Sequence, residues 1–190
     1  MLPDIELLAW DYLTEIWREI DGDYIKSCKY VNGFKEGKET WYDKNTLHLY
    51  SEIDYVHGVI HGKYISYENG KIIGIHNYIN GKVHGKVIQD GLDSGYRMIY
   101  YYNNGVLHGF YKIYDNGQLT TKFYMFMGTK IGVEQKWSPN GVLVQYIERG
   151  RVNLHGFYMD TLVSPARFEV YKNGVFVRLA TEEEKRAKGF

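Results

Sequence analysis

Tyr78-Ile79-Asn80-Gly81-Lys82-Val83-His84-Gly85 is the stretch on which the fold turns. Asn-Gly is the strongest short signal for a β-hairpin, because a type I′ turn needs positive φ at both central residues. The same Gly-x-x-x-Gly pair recurs as Gly33/Gly37, Gly58/Gly62, Gly105/Gly109 and Gly128/Gly132, with a sixth copy, Gly150/Gly156, two residues longer. The first glycines stand 25, 23, 24, 23 and 22 residues apart. Three residues before them come Tyr30, Tyr55, Tyr78, Tyr102, Met125 and Ile147. Five residues after the second glycine come Tyr42, Tyr67, Tyr114 and Trp137, and His61, His84, His108 and His155 directly precede it. A fixed period of this length marks a repeat architecture.

A second turn signal separates the pairs, as in Glu68-Asn69-Gly70, Asp115-Asn116-Gly117 and Pro139-Asn140-Gly141. Runs such as Gly109-Phe110-Tyr111-Lys112-Ile113-Tyr114-Asp115 are strand-sized and rich in strand formers. A helix through them would be broken every dozen residues. The composition agrees, with Gly 21, Tyr 19 and Pro 3 in 190 residues. Each repeat therefore reads as two strands, with one turn inside it and one linking it to the next. The expected fold class is all-β: an elongated single-layer antiparallel sheet of six to seven tandem hairpins over 23–178. At roughly 4.8 Å per strand it would be about 60 Å long.

The ends read differently. Over Pro3 to Ile20, Leu7, Leu8, Leu13, Ile16, Trp17 and Ile20 fall along a stripe of helical period. This predicts an amphipathic capping helix within 1–22 that lies over the first hairpin and shields its edge. Thr181-Glu182-Glu183-Glu184 fits a capping box, so 179–190 is expected to be a short helix or tail capping the other end.

Tyr64 and Tyr67, like Tyr111 and Tyr114, differ by three positions and so face opposite sides of a strand. Aromatic residues thus lie on both faces, and Trp41, Tyr42, Tyr64, Tyr67, Tyr111, Tyr114 and Trp137 are the candidate residues of an interaction groove. Aromatics of this kind serve interfaces and cross-strand packing alike. Histidines in one repeat slot would lie about 9.6 Å apart, too far to share a metal. No nucleophile elbow, phosphate loop or dinucleotide fingerprint occurs. No catalytic residue, metal or cofactor is expected. Equal numbers of basic and acidic residues, 23 each, speak against a general grip on nucleic acid or anionic lipid. The single cysteine, Cys28, fits a reducing compartment. The N-terminus carries no secretory pattern, and its methionine is expected to be the true start.

Tyr30-Val-Asn-Gly-Phe-Lys-Glu-Gly37, the 78–85 stretch and Tyr102-Asn-Asn-Gly-Val-Leu-His-Gly109 resemble MORN repeats, over roughly residues 24 to 178. Where the common MORN pattern has a further glycine two residues on, this chain has Glu39, Tyr64, Val87, Tyr111, Glu134 and Tyr158. That is closer to the longer-period variant found in bacterial antitoxin-like proteins and in giant DNA viruses. The resemblance implies a non-enzymatic scaffold that binds protein partners, itself included as a homodimer, in the cytoplasm or in a virion. Alternatives are a peripheral lipid binder, disfavoured by zero net charge, and an antitoxin-like neutraliser. Leu2-Pro3-Asp4-Ile5-Glu6-Leu7-Leu8 resembles the opening of an F-box, with no room for its remaining helices.

Overall fold

The structure, a computed structural model, describes residues 14–91, 94–150 and 153–190. The chain divides into two units, Met1–Leu92 and Asp93–Phe190. The described residues are nearly all β. The first unit holds β1 (Thr14–Asp21), β2 (Tyr24–Val31), β3 (Phe34–Lys35), β4 (Gly37–Asp43), β5 (Leu49–Val56), β6 (Val59–Glu68), β7 (Lys71–Ile79), β8 (Lys82–Val83) and β9 (Gly85–Asp90). The second holds β10 (Tyr96–Asn103), β11 (Val106–Leu107), β12 (Gly109–Asp115), β13 (Gln118–Phe126), β14 (Thr129–Trp137), β15 (Leu143–Arg149), β16 (Leu154–Asp160), β17 (Arg167–Lys172) and β18 (Val175–Leu179), then one short helix, α1 (Glu182–Ala187). Within each unit, successive strands pair antiparallel as an open meander.

The asparagine–glycine turns do what their backbone allows. Asn32, Asn69, Asn80, Asn104, Asn116 and Asn173 all have φ near +50°, and each is followed by a glycine of positive φ. Asn140 differs, because Pro139 makes it the third residue of a turn in which the Gly141 N–H donates to the Ser138 carbonyl at 2.9 Å. His57 and Met127 occupy the asparagine slot and are held at φ 47° and 49°. Such backbone costs about 1–2 kcal/mol for an ordinary L residue and less for asparagine. Met127→Asn is therefore expected to stabilise the fold by about 0.5–1 kcal/mol, read from its urea midpoint.

The first glycine of a pair also ties one hairpin to the previous one. The N–H groups of Gly58, Gly81 and Gly128 donate to the carbonyls of Lys35, Ile60 and Leu107 at 2.8–2.9 Å, and Gly174, which has the same place in the last hairpin, donates to Leu154 at 2.8 Å. Without this bond the turn amide would have only water as a partner, so neighbouring repeats fix each other's register.

The second glycines fall into two alternating classes. Gly37, Gly85 and Gly132 have φ of 69–78°, and an added Cβ would meet nothing within 4 Å. Gly62, Gly109 and Gly156 have φ of 107–120°, and the added atom would press on Asp54, Tyr101 or Glu148 at 2.0–3.0 Å. Two residues on, the first class carries Glu39, Val87 and Glu134, all buried, and the second carries Tyr64, Tyr111 and Tyr158, all half-buried. The structural period is thus two hairpins, twice the period of the glycine pattern. The array ends where Arg178 takes the second-glycine slot after Gly174. Its guanidinium makes a fork to Glu184 at 2.7 and 2.8 Å, and the chain leaves the sheet for α1.

Residues Thr14–Asp21 are a strand, not the predicted helix. They pair with β2 from Thr14↔Val31 to Asp21↔Tyr24, so Ile16, Trp17 and Ile20 are strand residues. Ile20 is 62% exposed, whereas a capping stripe would have buried it. An eight-residue ladder closed by a Gly22-Asp23 turn, with Gly22 at φ 60°, outweighs the helical spacing of three apolar residues. Leu7, Leu8 and Leu13 lie outside the described residues.

At the other end the capping box forms as expected. The Thr181 hydroxyl accepts from the Glu184 N–H at 3.2 Å, and the Glu184 carboxylate accepts from the Thr181 N–H at 2.9 Å. α1 and the residues after it cover a sheet face rather than an edge. Phe190 lies against the Tyr146, Phe157 and Phe168 rings at centroid distances of 6.1–6.4 Å. Together with Met159, Ala180, Leu143 and Val170 these rings make an apolar core in the second unit. Phe190→Ala is expected to lower stability by about 2 kcal/mol, below the usual value for a ring lost from a core because Phe190 is only half-buried. Its thermal melting curve checks this.

Candidate binding faces

Among the described residues only α1 and the residues after it lie over a sheet face, so the other side chains must pack along the sheet surface. They do so in a row across the strands, one residue per strand. In the first unit Glu39 pairs with Ile53, Ile53 with Tyr64, and Tyr64 with His76. The same register continues to Cys28 on one side and Val87 on the other, and Cys28, Glu39 and Val87 are buried. The His76 ring lies 5.8 Å from that of Tyr64, and burial alone pushes its pKa below the ordinary imidazole value. Burial, and then the Glu39 carboxylate, pushes the Cys28 thiol up, away from the reactive thiolate.

The second unit carries the more aromatic row. The Tyr100 and Tyr111 rings stack at 5.0 Å and 10°, and Tyr111 and Phe123 at 4.8 Å and 7°. The Lys130 ammonium caps the stack, 4.0 Å from the Phe123 ring. Lys130 also reaches Glu134 at 3.0 Å, and Arg149 reaches the same carboxylate at 2.9 and 3.1 Å. Burial opposes ionisation of Glu134, but the two cations together outweigh it and hold the carboxyl below the usual range. On the opposite face Glu148 behaves alike. Burial opposes its ionisation, and Lys188, the Phe157 N–H and the Tyr146 hydroxyl prevail.

Both carboxyls titrate lower in the folded than in the unfolded chain. Their contribution is complete above the ordinary value of 4.5 and is lost as pH falls through the depressed folded values. Acid unfolding is therefore expected to steepen below about pH 4.5. Glu134→Gln should flatten that limb, as followed by urea midpoints at several pH values.

The seven candidate groove residues do not share one surface. Trp41 and Tyr64 lie on the row-bearing face of the first unit. Tyr24 meets the Trp41 ring edge-on at 6.0 Å, with Lys26 5.5 Å from that ring. Tyr42 and Tyr67 lie on the reverse. Tyr42 lines a shallow hollow with Arg18, Ser27 and Thr40, and the Tyr67 hydroxyl donates to Glu52 at 2.8 Å. Burial and that carboxylate push the Tyr67 phenol up to about 12. In the second unit Tyr111 is central to the stacked row, while Tyr114 and Trp137, paired with Leu119 and Leu143, alternate onto the other face.

Sequence reasoning missed Tyr100, Phe123, Lys130, Glu134 and Arg149. The signal was present, because Lys35/Glu39 and Lys130/Glu134 recur at the same spacing in the same slots of two repeats. Arg149 was hidden by the longer sixth copy. The register sets Gly132 opposite Arg149 as it sets Gly37 opposite Tyr55, so Arg149, not Ile147, holds the tyrosine position. Among the described residues no group of three or more His, Cys, Asp and Glu side chains is placed to hold a metal. No helix among them is long and apolar enough to cross a membrane. No family model matches the chain, and no curated protein matches it either.

Proposed function

We propose that this protein is a non-catalytic MORN-like scaffold, cytoplasmic, that binds a protein partner on the row-bearing aromatic faces of its sheets. The stacked Tyr100–Tyr111–Phe123 row is the observation that carries the proposal. These rings are pre-ordered by one another, half-buried rather than covered, and bounded by a charged cluster. Tyrosine fixed in this way adds contact area at small entropic loss, and aromatic anchors with a polar rim are the usual anatomy of a protein interface. The repeated glycine pairs, each with positive φ at its second member, support the MORN-like reading.

The test is recovery of the partner from the native source. Partners retained by the wild-type chain are quantified against Tyr64→Ser/Tyr111→Ser and against Tyr67→Ser/Tyr114→Ser on the reverse faces. The first pair is expected to lose at least about tenfold in recovery, equivalent to about 1.4 kcal/mol, while its melting curve still shows a folded protein. Loss confined to the second pair, or equal retention by both, would refute the assignment.

A further inference from the structure

We infer that the chain forms a twofold dimer by pairing β18 antiparallel with β18 of a second copy. β18 is the last strand of the second unit, and among the described residues it pairs only with β17. Apart from the Leu179 carbonyl, which accepts from the Arg178 guanidinium at 3.0 Å, its outer backbone groups form an open template for another strand. Chains ordinarily guard such an edge with charge, yet Val175, Phe176, Val177 and Leu179 are apolar and 49–68% exposed. The one charged residue, Arg178, is already neutralised by its fork to Glu184. β1 makes the contrast plain. That strand carries Arg18, Glu19 and Asp21, so joining β18 to β1 of another copy would set an apolar strand against a charged one.

Self-pairing of β18 is complementary. Centred on Val177, it sets Val175 opposite Leu179 of the second copy and Phe176 opposite its Arg178. Apolar then meets apolar, guanidinium meets ring, and the two arginines stay apart. Val177 is the extra residue in the register between β17 and β18. An irregularity of that kind does not prevent pairing on the other edge here. β13 carries one opposite β12 and still pairs with β14. A twofold, isologous contact closes on itself, so the assembly stops at two. None of the stacked rings takes part, so this inference stands or falls independently of the aromatic-face proposal.

The experiment is sedimentation equilibrium of the full chain over a concentration series, beside Val175→Lys/Val177→Lys. Both replaced side chains are exposed, so the variant is expected to fold, which its circular dichroism checks. The wild type should approach twice the chain mass, and the variant should remain at the single-chain mass with dimer affinity weakened at least tenfold. As a second measurement, Val177→Cys should form an intersubunit disulfide under mild oxidation while buried Cys28 does not. A wild type that stays monomeric, grows into open polymers, or dimerises undiminished in the lysine variant would overturn the inference. So would a Val177→Cys chain that fails to cross-link.

Discussion

Glu39→Ala is expected to destabilise the protein by about 3 kcal/mol, and Lys35→Val/Glu39→Val to recover most of that loss. Glu39 is only 2% exposed, and its carboxylate accepts a hydrogen bond from the Lys35 ammonium, whose side chain is 27% exposed. Removing the acid strands a largely desolvated cation, 4.7 Å from the Tyr55 ring, with no anion beside it. The figure sits at the low end of the range for broken buried pairs because Lys35 keeps some water. The double replacement has a precedent inside the molecule. The third repeat holds Val83 and Val87 in the same two slots, and Val87 is fully buried. One backbone therefore accepts either an ion pair or two valines. Urea unfolding of Lys35→Val, Glu39→Val and the double variant gives the coupling energy. A double variant no better than Glu39→Ala would show that the two slots are not equivalent.

Gly62→Ala and Gly156→Ala are each expected to lose about 3 kcal/mol, and Gly37→Ala about 1 kcal/mol. All three glycines have positive φ, so a sequence motif treats them alike. Their surroundings do not. At Gly37 an added methyl meets open space and the change carries only the left-handed backbone penalty. At Gly62 φ is 117°, a region essentially reserved for glycine, and the methyl would sit 2.8 Å from the Asp54 side chain. That displaces the Asp54 carboxylate, which accepts from the Lys63 N–H at 2.9 Å. At Gly156 the methyl would fall 2.0 Å from a Glu148 oxygen that accepts from the Phe157 N–H at 2.7 Å. Equal urea midpoints for the three variants would contradict the two-class assignment.

Much of the architecture is legible in the sequence because turn chemistry is local. An Asn-Gly dipeptide states its backbone conformation without reference to the rest of the chain, and six of the seven adopt it. The capping box at Thr181 and Glu184 is local in the same sense. Thr14–Asp21 misleads because its conformation is not local. Ile16, Trp17 and Ile20 suit a helical stripe, and only the free ladder of β2 decides for a strand. The aromatic rows are half legible. Alternation places Tyr64 and Tyr67 on opposite faces, but it cannot say that Tyr111 stacks between Tyr100 and Phe123, because that depends on register between strands. The doubled period is visible as Glu39, Tyr64, Val87, Tyr111, Glu134 and Tyr158, yet its meaning requires knowing which of these sites are buried.

Row packing across an uncovered face is the premise of the proposed binding surface. It is tested most directly by nuclear Overhauser contacts in the full chain, measured on the backbone and the aromatic rings. Contacts are expected across Glu39–Ile53, Ile53–Tyr64 and Tyr64–His76, between the rings of Tyr111 and Phe123, and along β1 against β2. Absence of those cross-strand contacts, or helical contacts three residues apart within 14–21, would contradict it.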